Sequence, residues 1–216
     1  DVLKDDLPLR ETVNRAFKEE FFQIPTNQHA EYDGLQLLNK EVITAYVKQL
    51  LRRDAEHCPF RYLAAEYRVK QAVNVVCSDS TFTINLGGSI DRMDEKDGTL
   101  RIVDYKTGTT IQEARDMEQL FDCTAEHRPY HVFQTFLYAS IMCRKQNLKV
   151  APSLLYIHKA ASEDYSPVIC LKEPRKEALQ VTDYSYFEEE FREGLQKLLD
   201  EIFHPEVDFT QTEIEE

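Results

Sequence analysis

The run Gly88-Ser89-Ile90-Asp91-Arg92-Met93-Asp94-Glu95-Lys96-Asp97-Gly98-Thr99-Leu100-Arg101-Ile102-Val103-Asp104-Tyr105-Lys106-Thr107-Gly108 decides how the chain is read. It is two strand-like segments around Asp97-Gly98, a strong local hairpin signal because glycine takes positive φ at little cost. Leu100, Ile102 and Val103 supply β-type residues on the return strand, which should lie beside the outgoing one. Side chains alternate across a strand, so Asp104 and Lys106 project from one face and Tyr105 from the other. Asp91 on the neighbouring strand can join them.

Apolar residues precede each of these charges, so the strands are expected to run inward. Buried charges are costly unless they are paired or bind a metal. Mg²⁺ prefers oxygen ligands in octahedral geometry and keeps several waters, so Asp91, Asp104 and the Tyr105 carbonyl are candidate ligands that leave positions for a substrate phosphate. Lys106 then has separate work: stabilising charge on a phosphoryl group, or orienting and helping to deprotonate an attacking water. The plainer alternative is a surface hairpin in which Asp104 and Lys106 form a solvated pair.

Gly88-Ser89-Ile90-Asp91-Arg92, then Val103-Asp104-Tyr105-Lys106-Thr107-Gly108, then Gln134-Thr135-Phe136-Leu137-Tyr138, resembles the three-part signature of the PD-(D/E)XK nuclease superfamily. More narrowly it is similar to nuclease domains of the RecB and AddB type. The resemblance implies that Asp91 and Asp104 bind Mg²⁺ or Mn²⁺, that Lys106 assists hydrolysis, and that Gln134 and Tyr138 complete the catalytic set and contact substrate beside Arg92. The run Asp104-Tyr105-Lys106-Thr107-Gly108 with all three parts in order is specific; one part alone would be weak.

Two features depart from the RecB-like pattern. Its members carry a histidine ligand on a helix ahead of the first strand, and neither His29 nor His57 stands in such a motif. Glu66, on the strand before the Gly-x-Ile-Asp segment, is an additional candidate metal ligand in that histidine's place; the plainer reading is a strand Glu paired with Arg68 or Lys70. Some members also hold an iron–sulfur cluster through a Cys-x-x-Cys group, which is absent, so no such cluster is expected here.

The wider composition sets outer bounds. The chain has 216 residues, 42% hydrophobic and 30% charged, long enough for one well-buried domain. No apolar run approaches the length of a membrane span and no signal-peptide pattern is present. The start at Asp1-Val2-Leu3, without an initiator Met, suggests a piece of something longer. Cys58, Cys77, Cys123, Cys143 and Cys170 are odd in number and widely spaced, reading as free thiols in a reducing, cytoplasmic setting. The net charge of −13 cuts against backbone binding of DNA, which usually rests on basic patches. Charge near the site matters more than the total, and Arg92, Arg101 and Lys106 are available there.

Periodicity gives the order of elements. A helix is expected from about Pro8 to Phe22, ended by Pro25, and a stronger one from Leu35 to Arg53 with Leu38, Val42, Ile43, Tyr46, Leu50 and Leu51 on one face. Strands are expected at Tyr62–Val69 and Val73–Cys77, a turn at Ser78-Asp79-Ser80, and a strand from Thr81 toward Asp91. After a polar connection through Thr109-Thr110 come a short helix near Glu113–Phe121 and a clear one from Tyr130 to Lys145, where Gln134 and Tyr138 share a face. Strands at Val150–His158 and Tyr165–Leu171 precede a final helix at Tyr186–Phe203, and the tail ending Glu213-Ile214-Glu215-Glu216 is expected to be solvated.

These readings together predict an α/β (α+β) fold with a restriction-endonuclease-like core, a central mixed β-sheet flanked by helices on both sides. Residues 1–60 are expected to form a helical part packing on the core, 61–204 the nuclease core, and 205–216 the tail. The resemblance implies a metal-dependent DNA exonuclease module of a helicase–nuclease in double-strand break repair and recombination. Its partners would be DNA ends, double- or single-stranded, and the other domains or subunits of that complex, with no membrane. Two other readings stand beside it: a catalytically silent nuclease fold serving as a scaffold, motivated by the acidic charge and absent histidine, and a phosphodiesterase acting on RNA or small nucleotides.

Overall fold

Asp97 and Gly98 both adopt positive φ, 51° and 76°, the combination a two-residue hairpin turn requires. The computed structural model containing this turn describes residues 6–77, 80–108, 113–122, 124, 128–145 and 148–209. The turn residues Ser78 and Asp79, the connection at Thr109-Thr110, Cys123 and the tail from Thr210 lie outside the described residues, as do Asp1 to Asp5. The chain divides into two units, Asp1–Pro59 with Ile157–Tyr165, and Phe60–Tyr156 with Ser166–Glu216.

The first unit is helical. Helix α1 (Leu7–Ala16) buries Leu9 and Val13 and passes into a π-helical turn at Phe17–Phe21. Helix α2 (Gly34–His57) starts in a capping box: the Asp33 carboxylate accepts from the Gln36 backbone N–H at 2.8 Å, and the Gln36 side chain accepts from the Asp33 N–H at 3.1 Å. The expected apolar face of α2 is a point of correction. Leu38, Val42 and Ile43 are exposed and Thr44 is its buried residue. Polar contacts hold the helix within its unit instead: Lys48 pairs with Asp6, Arg10 with Glu41 at 2.6 Å, and Lys40 donates to Asn14 at 2.9 Å while lying over the Tyr32 ring.

The second unit is built on a four-stranded sheet in the order β1 (Arg61–Cys77), β2 (Ser80–Lys96), β3 (Thr99–Lys106), β4 (Lys149–Tyr156). The first three are antiparallel and β3 pairs with β4 in parallel. A parallel pair needs a crossover, and helix α3 (Tyr130–Lys145) supplies it, with the boundaries its periodicity predicts. Where several short strands were expected, β1 and β2 run unbroken for 17 residues each. No proline or acidic cluster interrupts Gln71-Ala72, and Gly87-Gly88 is carried through the ladder opposite Lys70 and Val69.

The expected strand at Tyr165–Leu171 shrinks to β5 (Cys170–Leu171), which pairs with β6 (Leu179–Gln180) in a separate small sheet. The short helix near Glu113 is a single 3-10 turn at Glu118–Leu120, and the final helix α4 (Glu188–Ile202) is preceded by a 3-10 turn at Tyr184–Phe187. The core lies between α3, α4 and the sheet, where Ile90, Ile102, Val132, Phe136, Tyr184 and Phe191 are almost wholly buried. Burial of each such large apolar side chain contributes about 1.5–3 kcal/mol. Cys58, Cys143 and Cys170 are free thiols. The sheet is thus mixed and flanked by helices, as a restriction-endonuclease-like fold requires, and no helix among the described residues is long and apolar enough to cross a membrane.

Candidate active site

β3 is one of the two inner strands of the sheet, and its second half carries charge into the core. The pairing of β2 with β3 ends at Arg92 and Val103; one step further sets Asp91 across from Asp104. There β2 leaves the ladder, and the Tyr105 backbone N–H, which would otherwise lose its strand partner, donates to Asp91 Oδ2 at 2.7 Å. Asp91 is thereby oriented by the same strand that carries Asp104 and Lys106.

Asp104 is 4% exposed, and Lys106 Nζ lies 2.6 Å from its Oδ2. The approach is outside hydrogen-bonding angles, so Oδ2 is a buried oxygen with an ion-pair neighbour and no directed hydrogen bond. Burial pushes the Asp104 carboxyl above its ordinary value; the Lys106 contact pulls it back and the Asp91 charge adds to the rise. A buried carboxylate oxygen with no hydrogen bond, beside a second carboxylate, is a donor set that suits a divalent cation. Among the described residues no group of three or more His, Cys, Asp or Glu side chains gathers to hold a metal, so such an ion would draw its remaining oxygens from backbone, water or substrate.

Helix α3 completes the arrangement. Lys106 Nζ donates to Gln134 Oε1 at 3.0 Å, and Gln134 Nε2 donates to the Tyr138 hydroxyl at 3.2 Å. Lysine is donor-only, so the amide oxygen must face it and the amide nitrogen is left for Tyr138. The spacing of four residues puts both side chains on one helix face. Tyr138 is buried at 7% exposure, and an added Cβ on Gly88 would lie 2.4 Å from its hydroxyl. The Gly88, Asp91, Asp104-Lys106 and Gln134-Tyr138 segments thus touch in one chain of contacts.

Two other sequence candidates are placed differently. Arg92 projects from the opposite face of β2, where its Nε donates to Asp94 Oδ2 at 2.9 Å, its guanidinium reaches the Tyr105 hydroxyl at 3.2 Å and it lies over the Phe60 ring. Arg101 joins the same buried carboxylate at 2.8 and 2.6 Å. Glu66 sits between the pairs Ala65–Arg92 and Tyr67–Ile90, across from Asp91, with φ 48°. A non-glycine residue in that region costs of order 1–3 kcal/mol, and such strain collects at functional sites. The exposed Glu66 carboxylate accepts from Ser89 Oγ at 3.2 Å.

His131 was not foreseen from the sequence. It lies one turn ahead of Gln134 on α3, with Nδ1 3.2 Å from the Tyr156 hydroxyl, and Tyr156 stands beside Lys106 in the β3–β4 register. Burial first, and the Lys106 charge second, lower its pKa to about 4. Its spacing of three residues from Gln134 was the available signal. The Asp94–Arg101 pair was also readable, because a two-residue turn at Asp97-Gly98 sets these residues opposite each other.

A comparison with curated proteins finds no match. The family model of the PD-(D/E)XK nuclease superfamily matches residues 2–213, and with the carboxylate pair, lysine and helix glutamine already in contact, the chain belongs to that superfamily of nuclease-type phosphodiesterases, which generally use divalent metal ions.

Proposed function

We propose that this chain is a Mg²⁺- or Mn²⁺-dependent DNA exonuclease module of the RecB/AddB kind, working beside the other domains or subunits of a helicase–nuclease in double-strand break repair. The observation that carries the reading is Lys106 Nζ held between Asp104 Oδ2 at 2.6 Å and Gln134 Oε1 at 3.0 Å. That geometry fixes an ammonium beside the buried Asp104 carboxylate, with the half-buried Asp91 on the neighbouring strand, where it meets a phosphoryl oxygen or an attacking water.

Asp91 and Asp104 hold the cation, with the Tyr105 carbonyl as a further oxygen and Glu66 as an outer candidate. When bound, the cation supplies Lewis-acid stabilisation of phosphoryl charge and a more acidic water. The Tyr105 N–H keeps one Asp91 oxygen oriented, which leaves the other for the ion. Gln134 aims Lys106, and Tyr138 anchors Gln134. Lys106, as a compact point charge, offsets charge that develops on the transferring group.

The test is cleavage of linear and circular, single- and double-stranded DNA with Mg²⁺ or Mn²⁺, comparing the chain with Asp104→Asn and Lys106→Ala. Cleavage of linear DNA that both substitutions abolish, with circles spared, supports the reading. Cleavage of circles replaces exonuclease with endonuclease. RNA cleaved in preference to DNA moves the substrate assignment, and absent cleavage together with absent cation binding favours the scaffold.

A further inference from the structure

This inference rests on the nuclease reading above and concerns how so acidic a chain holds its substrate. We propose that the outward face of the β1–β2 hairpin beside Asp91 is a track for the sugar–phosphate backbone of one nucleic-acid strand, with Arg68 and Lys70 as its phosphate contacts.

Arg68 stands opposite Ser89 and Lys70 opposite Gly87 in the β1–β2 register. Residues two apart share a strand face, so the two cations stand in line, level with points about 7 and 14 Å along the hairpin from Asp91. The interval between them is of the order of the spacing between successive phosphates of an extended strand. Val69 and Val75, on the alternate face of β1, are 3% and 0% exposed. The core therefore takes that face and leaves the Arg68–Lys70 face to solvent.

Both cations are exposed, and neither has an ion-pair or hydrogen-bond partner among the described residues. In a chain with 39 acidic and 26 basic residues, several other cations are neutralised by carboxylates. Arg61 pairs with Glu95, Arg115 with Asp116, Arg144 with Glu188 and Lys176 with Glu173. Two unneutralised cations side by side repel each other and attract a polyanion, and a local field of one sign outweighs the net charge in steering a substrate.

The surface between them is shaped for contact. A shallow groove of about 500 Å³ is lined by Arg68, Lys70, Asn85, Gly87 and Ser89. At Gly87 a Cβ would meet the Val69 carbonyl oxygen at 2.2 Å, so the floor stays at backbone height and a sugar–phosphate chain can lie flat on it. Glu66, hydrogen-bonded to Ser89, closes the cationic stretch at the end nearest Asp91. A duplex would need cations on both of its backbones, whereas this ribbon is one strand wide.

The experiment measures binding of labelled oligothymidylate and oligouridylate by fluorescence polarisation in EDTA, over a salt series. Wild type, Arg68→Ala/Lys70→Ala, the conservative Arg68→Lys/Lys70→Arg, and a charge-matched control Lys172→Ala/Arg175→Ala are compared. Hydrolysis of a small aryl phosphodiester with Mn²⁺ is followed in parallel, since it reports the carboxylate site without the track. The alanine pair is expected to weaken binding about tenfold or more and to flatten the log–log salt slope by about 1.4, while the other two variants bind like wild type. Unchanged binding by the alanine pair, equal loss in the control, or no binding by wild type overturns the track. Loss of aryl ester hydrolysis in wild type instead overturns the nuclease reading on which it rests. DNA and RNA binding alike would assign the track to the shared phosphodiester backbone.

Discussion

Gly88 and Tyr138 are matched to each other: a Cβ on Gly88 would lie 2.4 Å from the Tyr138 hydroxyl and 2.9 and 3.0 Å from its ring carbons. The glycine of the Gly-x-Ile-Asp segment is thus there for the tyrosine of the Gln-x-x-x-Tyr helix, two motifs 50 residues apart. Gly88→Ala is expected to lose about 1–3 kcal/mol of stability through overpacking, although alanine is the better strand former. Tyr138→Phe removes the nearest atom, so the double variant should lose less than the sum of the two single variants. Urea unfolding of the four proteins checks this, and strict additivity would show that the two sites do not touch.

Gln134 links that contact to Lys106. Gln134→Ala leaves the Lys106 ammonium without its amide acceptor and the Tyr138 hydroxyl without a donor. Misplacement of a catalytic group by about 1 Å costs of the order of a hundredfold in rate. The expected outcome is a fall in kcat of that order with KM little changed and the far-UV spectrum preserved. A raised KM with unchanged kcat would make Gln134 a substrate contact in its own right.

Much of this arrangement is legible in the sequence. The Asp97-Gly98 turn, the shared face of Asp104 and Lys106, and the full extent of α3 follow from local rules of φ preference and periodicity, and each appears as expected. What stayed hidden depends on which partner each face finds. The apolar residues of α2 have helical spacing, yet Leu38 and Val42 are exposed because its contacts within its unit are polar. β5 pairs with the two residues Leu179-Gln180, too short a run to carry periodicity. The positive φ of Glu66 has no sequence signature, since glutamate rarely takes it. The complete burial of Asp94 has no signature of its own either, since the turn sets it opposite Arg101 whether that pair is solvated or buried.

Asp94 supports the sheet beneath the site. It is 0% exposed and accepts from Arg92 and Arg101 together. Asp94→Ala leaves two guanidinium groups in the interior without their shared carboxylate, and breaking a buried pair in this way costs about 3–5 kcal/mol. Arg101→Ala leaves Asp94 with Arg92 and should cost distinctly less. Equal losses in chemical denaturation would mean that solvent reaches Arg92 once Asp94 is gone.

His131 gives the fold a pH dependence of defined sign. Its folded-state pKa is lowered to about 4 by burial and by the Lys106 charge, against an unfolded value near 6.5. Between those values the unfolded chain binds more protons than the native one, so stability rises with pH across the window. The contribution is fully present above about pH 6.5, declines as pH falls toward 4, and changes no further below that. His131→Gln keeps a polar group facing the Tyr156 hydroxyl and does not titrate. The variant's urea midpoint should fall less steeply than that of wild type between pH 6.5 and 4, with the two curves parallel above that range. Because the Lys106 charge supplies part of the shift, Lys106→Ala should raise the folded-state pKa, leaving the onset near pH 6.5 in place while the decline ends at higher pH and is smaller overall. An unaltered pH profile in His131→Gln would assign the acid sensitivity of this fold to other groups.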